Sequence, residues 1–174
     1  LIFCADDARL TELFSRRPGA ISFGFHPLAA YRVESRPPGS SVAPHPSADA
    51  DPAARASHVS RFTFHESRFA IWHAGQLLGE FTTHLLGEKN LSNAAAVIAL
   101  LHQLGFAPEA IARAVAPFRG AERRQQEIFA DHRFRVFDDY GHHPAEIRAT
   151  LAALKPLGSR RLLVAFQPHR FTRT

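Results

Sequence analysis

The stretch FRVFDDYGHHPAEIRATLAALKPLGSRRLLVAF, residues 134–166, decides how this chain folds. Leading into it, Arg133 to Phe137 largely alternates charged and apolar side chains, and Phe134 to Asp138 reads as a half-exposed strand. Pro144 to Lys155 carries Ile147, Leu151 and Leu154 on one helical face, with proline in the first turn and Pro156 and Gly158 beyond the end. Leu162 to Phe166 is a continuous apolar run, the pattern of a strand covered on both faces in a parallel sheet. Strand, helix, strand at this spacing predicts a right-handed βαβ unit and an α/β fold class.

Such a unit delivers the carboxyl ends of its strands to one sheet edge, where open α/β sheets bind ligands. Asp138-Asp139-Tyr140-Gly141-His142-His143 leaves one strand, and Gln167 to Arg173 leaves the other. Tyr140, His142, His169, Arg170 and Arg173 are therefore expected to converge. Guanidinium forks and imidazole donors suit a carboxylate or a phosphate, because both make charge-assisted hydrogen bonds. Two other readings compete. Asp138 and His143 could merely satisfy backbone groups, or Asp138, Asp139, His142 and His169 could form a metal-dependent hydrolase, since carboxylates and imidazoles bind zinc or manganese. Spacing disfavours the metal, because the adjacent His142 and His143 diverge and His143 stands where it would cap the helix.

Upstream, Leu1 to Cys4 reads as a strand, and Asp6 or Asp7 caps a helix carrying Leu10, Leu13 and Phe14. Ile21 to Phe25 reads as a second strand. From Arg36 to His58 the chain is rich in proline, serine and small residues, and is expected to form a mobile loop. Val59 to Leu86 has period-two segments broken at Glu66-Ser67 and Ala74-Gly75, which predicts a β-meander. Asn90 to Leu101 is alanine-rich and apolar almost all round, a buried helix closed by Gly105. Asn90 and Asn93 share one side of its first turn, where carboxamides suit a nucleobase edge or, for Asn90, ordinary capping. Pro108 to Val115 forms another helix, and Gln125 to Ala130 another strand.

With 45% apolar and 21% charged residues in a length of 174, the chain is globular. Its formal charge of +5 comes from 21 basic residues interleaved with 16 acids. That interleaving argues against nucleic acid as a partner and fits a small anionic ligand. No apolar run approaches the roughly 18 residues that cross a bilayer, so no membrane partner and a cytoplasmic setting are expected. The single cysteine, Cys4, rules out an internal disulfide and reads as a core residue. Nothing specifies an oligomeric state. There is no methionine, and both ends read as cut, so a piece of a longer protein is expected.

Taken together, Gly87-Glu88-Lys89-Asn90-Leu91-Ser92-Asn93-Ala94-Ala95, Phe118-Arg119-Gly120 with Arg123-Arg124, Asp138 to Pro144, and Phe166 to Thr174 resemble the Mur ligase family in order and spacing. The resemblance implies an ATP-dependent acid–amino-acid ligase of peptidoglycan precursor synthesis. Such an enzyme joins L-alanine to UDP-N-acetylmuramate through an acyl phosphate, with ATP and Mg2+. It implies that residues 1–118 are the C-terminal part of a central ATP-binding domain (β-meander plus helices), and 119–174 the start of a Rossmann-like C-terminal ligase domain. By position, Asn90, Asn93, Arg124 and Asp139 would bind ATP. Tyr140, His142, His169, Arg170 and Arg173 would hold the alanine and muramoyl carboxylates. Lys89 and Ala145 depart from the family's usual histidine and threonine. No G-x-x-x-x-G-K-[ST] phosphate loop occurs, and magnesium ligands are expected outside this chain, so it is expected to be inactive alone.

Overall fold

Ile2–Cys4 (β1), Ile21–Gly24 (β2) and Tyr31–Arg36 (β3) lie parallel, and Ser67–His73 (β4) and Gln76–Thr83 (β5) extend the sheet antiparallel, in the order β1-β2-β3-β4-β5. The computed structural model describes residues 1–36, 66–157 and 161–168. Most of the expected 36–58 loop, and Phe62 and Phe64 of the expected meander, lie outside the described residues.

Ala8–Phe14 (α1) crosses from β1 to β2. Asp7 is its cap, accepting the amides of Arg9 and Leu10 through Oδ1. Asp6 instead holds the far side of β2, accepting from the amides of Phe25 at 3.0 Å and His26 at 2.7 Å. The two acids thus divide between capping a helix and fastening a loop. The turn at Ala74-Gly75 joins β4 to β5 as the pattern predicts, with both residues left-handed at φ 52° and 78°.

One face of the sheet is apolar at Tyr31, Val33, Phe69, Ile71 and Phe81. Glu88–Gln103 (α2) and Pro108–Val115 (α3) close over it, inserting Leu91, Ala95, Ile98 and Ile111. Phe69 and Phe81 are register partners, and their rings stack at 5.7 Å. Fully burying each such side chain contributes about 1.5–3 kcal/mol. Small side chains at Ala94, Ala95 and Ala99 bring α2 down onto the strands, and all three are buried. α2 is not buried all round, however. Val97 and Leu100 are each 49% exposed, so the helix packs one side only.

The second unit begins with Gln126–Ala130 (β6) and Arg135–Asp138 (β7), an antiparallel pair. Its turn is held by Asp131, whose Oδ1 accepts the amides of Arg133 and Phe134. Pro144–Leu154 (α4) follows. The strand expected at Leu162–Phe166 is not formed: residues 161–168 have no strand assignment, and Leu163 is 80% exposed. A strand apolar on both sides needs a ladder partner and cover on both faces. Among the described residues β7 pairs with β6 alone, so the chain shows an antiparallel ribbon plus α4 in place of a completed βαβ unit. The mixed α/β class stands. No described helix is long and apolar enough to cross a membrane.

Candidate functional site

β7 ends at Asp138, and the next five residues turn the chain into α4. Asp139 shapes that turn, its Oδ1 accepting the Gly141 amide at 2.7 Å. A β-carbon on Gly141 would stand 2.6 Å from that same oxygen, which is why glycine occupies the position. The second oxygen, Oδ2, accepts the backbone amide of Gln125 at 2.9 Å. Gln125 in turn reaches the other unit, its Oε1 accepting from Asn90 Nδ2 at 3.1 Å. Asn90, in the first turn of α2, also donates Nδ2 to the Leu86 carbonyl at 2.8 Å. A continuous chain of hydrogen bonds therefore runs Asn90, Gln125, Asp139, Gly141.

The connector between the units is strained. Arg123 and Gln125 have φ of 57° and 48°, in the left-handed region that non-glycine residues enter rarely. Arg123 is tied to the corner three ways. Its carbonyl accepts the Tyr140 amide at 2.7 Å, its guanidinium lies 3.5 Å from Asp138 Oδ2, and it stacks 5.1 Å over the Tyr140 ring.

Glu146 organises the helix start. His143 is the cap, its Nδ1 accepting from the Ala145 amide, while Glu146 Oε2 accepts the amides of His142 and His143 at 3.2 and 3.4 Å. This is a reciprocal capping box. Arg124 lies 3.8 Å from the other Glu146 oxygen. The amide of His142 first, then that of His143 and the charges of His142 and Arg124, hold the Glu146 carboxyl below its ordinary range. His142 Nδ1 lies 3.3 Å from the Tyr140 carbonyl. A carbonyl only accepts, so Nδ1 carries the hydrogen in that contact. The two rings meet edge to face at 5.4 Å, and Tyr140 is 45% exposed.

Of the residues singled out from sequence, Asn90 and Asp139 are joined through Gln125, and Tyr140, His142 and Arg124 are joined through Glu146, in two neighbouring sets of contacts. Asn93 stands exposed one turn further along α2. His169, Arg170 and Arg173 lie outside the described residues. The capping role offered for Asn90 is corrected: Gly87 is the N-cap of α2, without a side chain to bond, and Asn90 reaches back from the first turn. Two participants were missed. Glu146 had a readable signal, the helix-start spacing His143-x-x-Glu146. Gln125 had none, because its partner is 35 residues away. A cleft of about 470 Å³ between the units, lined by His84, Arg119, Glu127 and Arg135 among others, shares Gln125 with the Asn90–Asp139 set.

The acids here are committed elsewhere than to a metal: Asp138 to Arg123, Asp139 to two amides, Glu146 to the helix start. No group of three or more His, Cys, Asp or Glu among the described residues is placed to hold an ion. The corner does not fit magnesium, and the hydrolase reading gains no support from it.

A family model described as "Mur ligase, glutamate ligase domain" matches residues 123–173, from the strained connector through α4 and beyond. The chain belongs to the Mur ligase family. It is 42% identical over 174 residues to the UDP-N-acetylmuramate--L-alanine ligase of Myxococcus xanthus, covering 99% of this chain and 32% of that protein. To the ligase of the same name from Acidobacterium capsulatum it is 35% identical over 174 residues, covering 99% and 33%. The chain spans a third or less of the length of the curated relatives it matches. Its fold is similar to the crystal structure of MurF from Acinetobacter baumannii, with a TM-score of 0.62 at 19% identity, covering 88% of this chain and 28% of that one.

Proposed function

We propose that this chain supplies the base-reading and amino-acid-holding parts of an ATP-dependent ligase that joins L-alanine to UDP-N-acetylmuramate, a cytoplasmic step of peptidoglycan precursor synthesis. The observation that carries the reading is the hydrogen-bonded run from Asn90 to Gly141. It links the α2 start of one unit to the strand end of the other, in a chain similar throughout its length to ligases of that name. Residues 1–118 would then be the end of a central nucleotide-binding domain and 119–174 the start of a C-terminal one.

In this proposal Asn90 and Asn93 face the base, and Arg124 and Asp139 the ribose and phosphate region. Tyr140 and His142 work with His169, Arg170 and Arg173 on the two carboxylates. Each group acts by position and charge, which is the main source of rate in phosphoryl and acyl transfer. In the whole enzyme a muramoyl carboxylate oxygen would take the terminal phosphoryl group of ATP as ADP leaves, and the alanine amine would then attack the acyl carbon, releasing phosphate and a proton. Magnesium would be held by residues beyond this chain.

Phosphate release with ATP, L-alanine and UDP-N-acetylmuramate tests the reading. The 174-residue chain should show none, and the product of its gene read upstream to the start codon should show release that depends on all three substrates. An upstream frame without a G-x-x-x-x-G-K-[ST] sequence would overturn the proposal.

A further inference from the structure

We infer that Gln125 sharpens the base specificity of the nucleotide site by holding, together with the Leu86 carbonyl, the Asn90 carboxamide with its oxygen outward. The inference rests on the ligase reading, which puts Asn90 at the base. The Leu86 carbonyl can only accept, so the end of Asn90 lying 2.8 Å from it is the amide nitrogen. The second hydrogen of that nitrogen goes to Gln125 Oε1 at 3.1 Å. Both donors are thereby used, and Asn90 offers a ligand only its carbonyl oxygen.

An acceptor in that place matches the exocyclic amine of a 6-aminopurine. It opposes the oxygen of a 6-oxopurine, where two acceptors would face each other. Without Gln125 one N–H of the carboxamide is left free and only the Leu86 carbonyl opposes its rotation, so Asn90 turns more readily to serve either base.

Gln125 is held for this task by its own backbone. Its amide is fixed by Asp139 Oδ2 at 2.9 Å, and its φ of 48° lies where L side chains are disfavoured. Disfavoured backbone persists where surrounding contacts over-determine it, and it clusters at ligand sites. Gln125 is thus a positioning residue: it touches Asn90 rather than the base, and it ties base reading to the Asp139 corner.

The test compares ATP with inosine 5′-triphosphate, which carries a 6-oxo group in place of the amine. Calorimetric Kd values for both are measured on the product of the gene read upstream to its start codon, for wild type, Gln125→Ala and Gln125→Glu. One correctly opposed hydrogen bond is worth roughly tenfold in affinity. Wild type should prefer ATP by about that factor, Gln125→Ala should narrow the preference to about twofold, and Gln125→Glu, which keeps an acceptor for Asn90, should restore it. In 15N–1H spectra the Asn90 side-chain amide pair should shift in Gln125→Ala and stay near its wild-type position in Gln125→Glu, while the remaining dispersion shows that both variants fold. ATP binding with a preference unchanged by Gln125→Ala overturns the inference and leaves the ligase reading standing. Failure of wild type to bind either nucleotide removes the ligase reading, and the specificity claim with it.

Discussion

A β-carbon placed on Gly87 would stand 2.6 Å from the β-carbon of Ala153, so the turn before α2 and the last turns of α4 meet with no space for a methyl group. Gly87 also has φ +83°, where an L side chain is strained. Gly87→Ala should therefore lower stability by about 1–3 kcal/mol, from backbone strain and overpacking together. Because Asn90 lies one turn away, nucleotide affinity should fall too. Adding Ala153→Gly should recover part of both losses in urea melts and titrations, since it removes the clash but leaves the strain.

The capping box makes the start of α4 sensitive to acid. Glu146 has its carboxyl held below its ordinary value of 4.5, chiefly by the His142 amide. A depressed folded value means that the contribution is fully present above the unfolded value and is lost as pH falls through the folded one. The Glu146 side-chain titration should have its midpoint below 4.5, and the α4 amide signals should hold steady from neutrality down to that range. In Glu146→Gln the first turn of α4 should lose its acid transition and be less ordered at neutral pH. A Glu146 midpoint above 4.5 would contradict the geometry.

Asp139 accepts two backbone amides with two different oxygens. Asparagine keeps one acceptor and turns an NH2 toward the other N–H, leaving a part-buried donor unsatisfied. Asp139→Asn should destabilise by about 1–3 kcal/mol. Because both ends of the Gln125–Gly141 connection depend on it, it should also weaken ATP binding more than a comparable surface change such as Asp7→Asn.

Phe81 is 1% exposed and stacks on Phe69 at the centre of the sheet. Phe81→Ala should cost about 3–5 kcal/mol in denaturant melts, the usual range for deleting a buried aromatic ring.

Elements with local signals were legible in the sequence. Asp7 before Leu10 and Leu13, Ala74-Gly75 between alternating segments, Gly105 after α2 and Pro144 before α4 each mark a boundary within a few residues of the element it ends. β3 escaped because Arg32, Glu34 and Arg36 alternate with only Tyr31 and Val33 as buried apolar positions, and its pairing with β4 comes from more than thirty residues away. Leu162–Phe166 shows the limit from the other side. An apolar run states what a strand would need, and neighbours decide whether it is met.

At the candidate site the residue types could be read and their wiring could not. Asp139, Tyr140 and His142 stand out as residue types. That Asp139 uses both oxygens on backbone amides, and that Asn90 shares its amide nitrogen between Leu86 and Gln125, follows from distances no local pattern encodes.

The connector also sets stability against function at two positions. Left-handed backbone favours glycine or asparagine, and holding another L residue there costs roughly 1–2 kcal/mol. At 123 and 125 this chain carries arginine and glutamine instead. A library selected for thermal resistance alone should enrich glycine or asparagine there, and the variants it yields should melt later while discriminating nucleotides less well. Heat tolerance and base discrimination would then move in opposite directions at these residues, making them a poor choice for stabilising engineering and a good place to look for relaxed substrate choice.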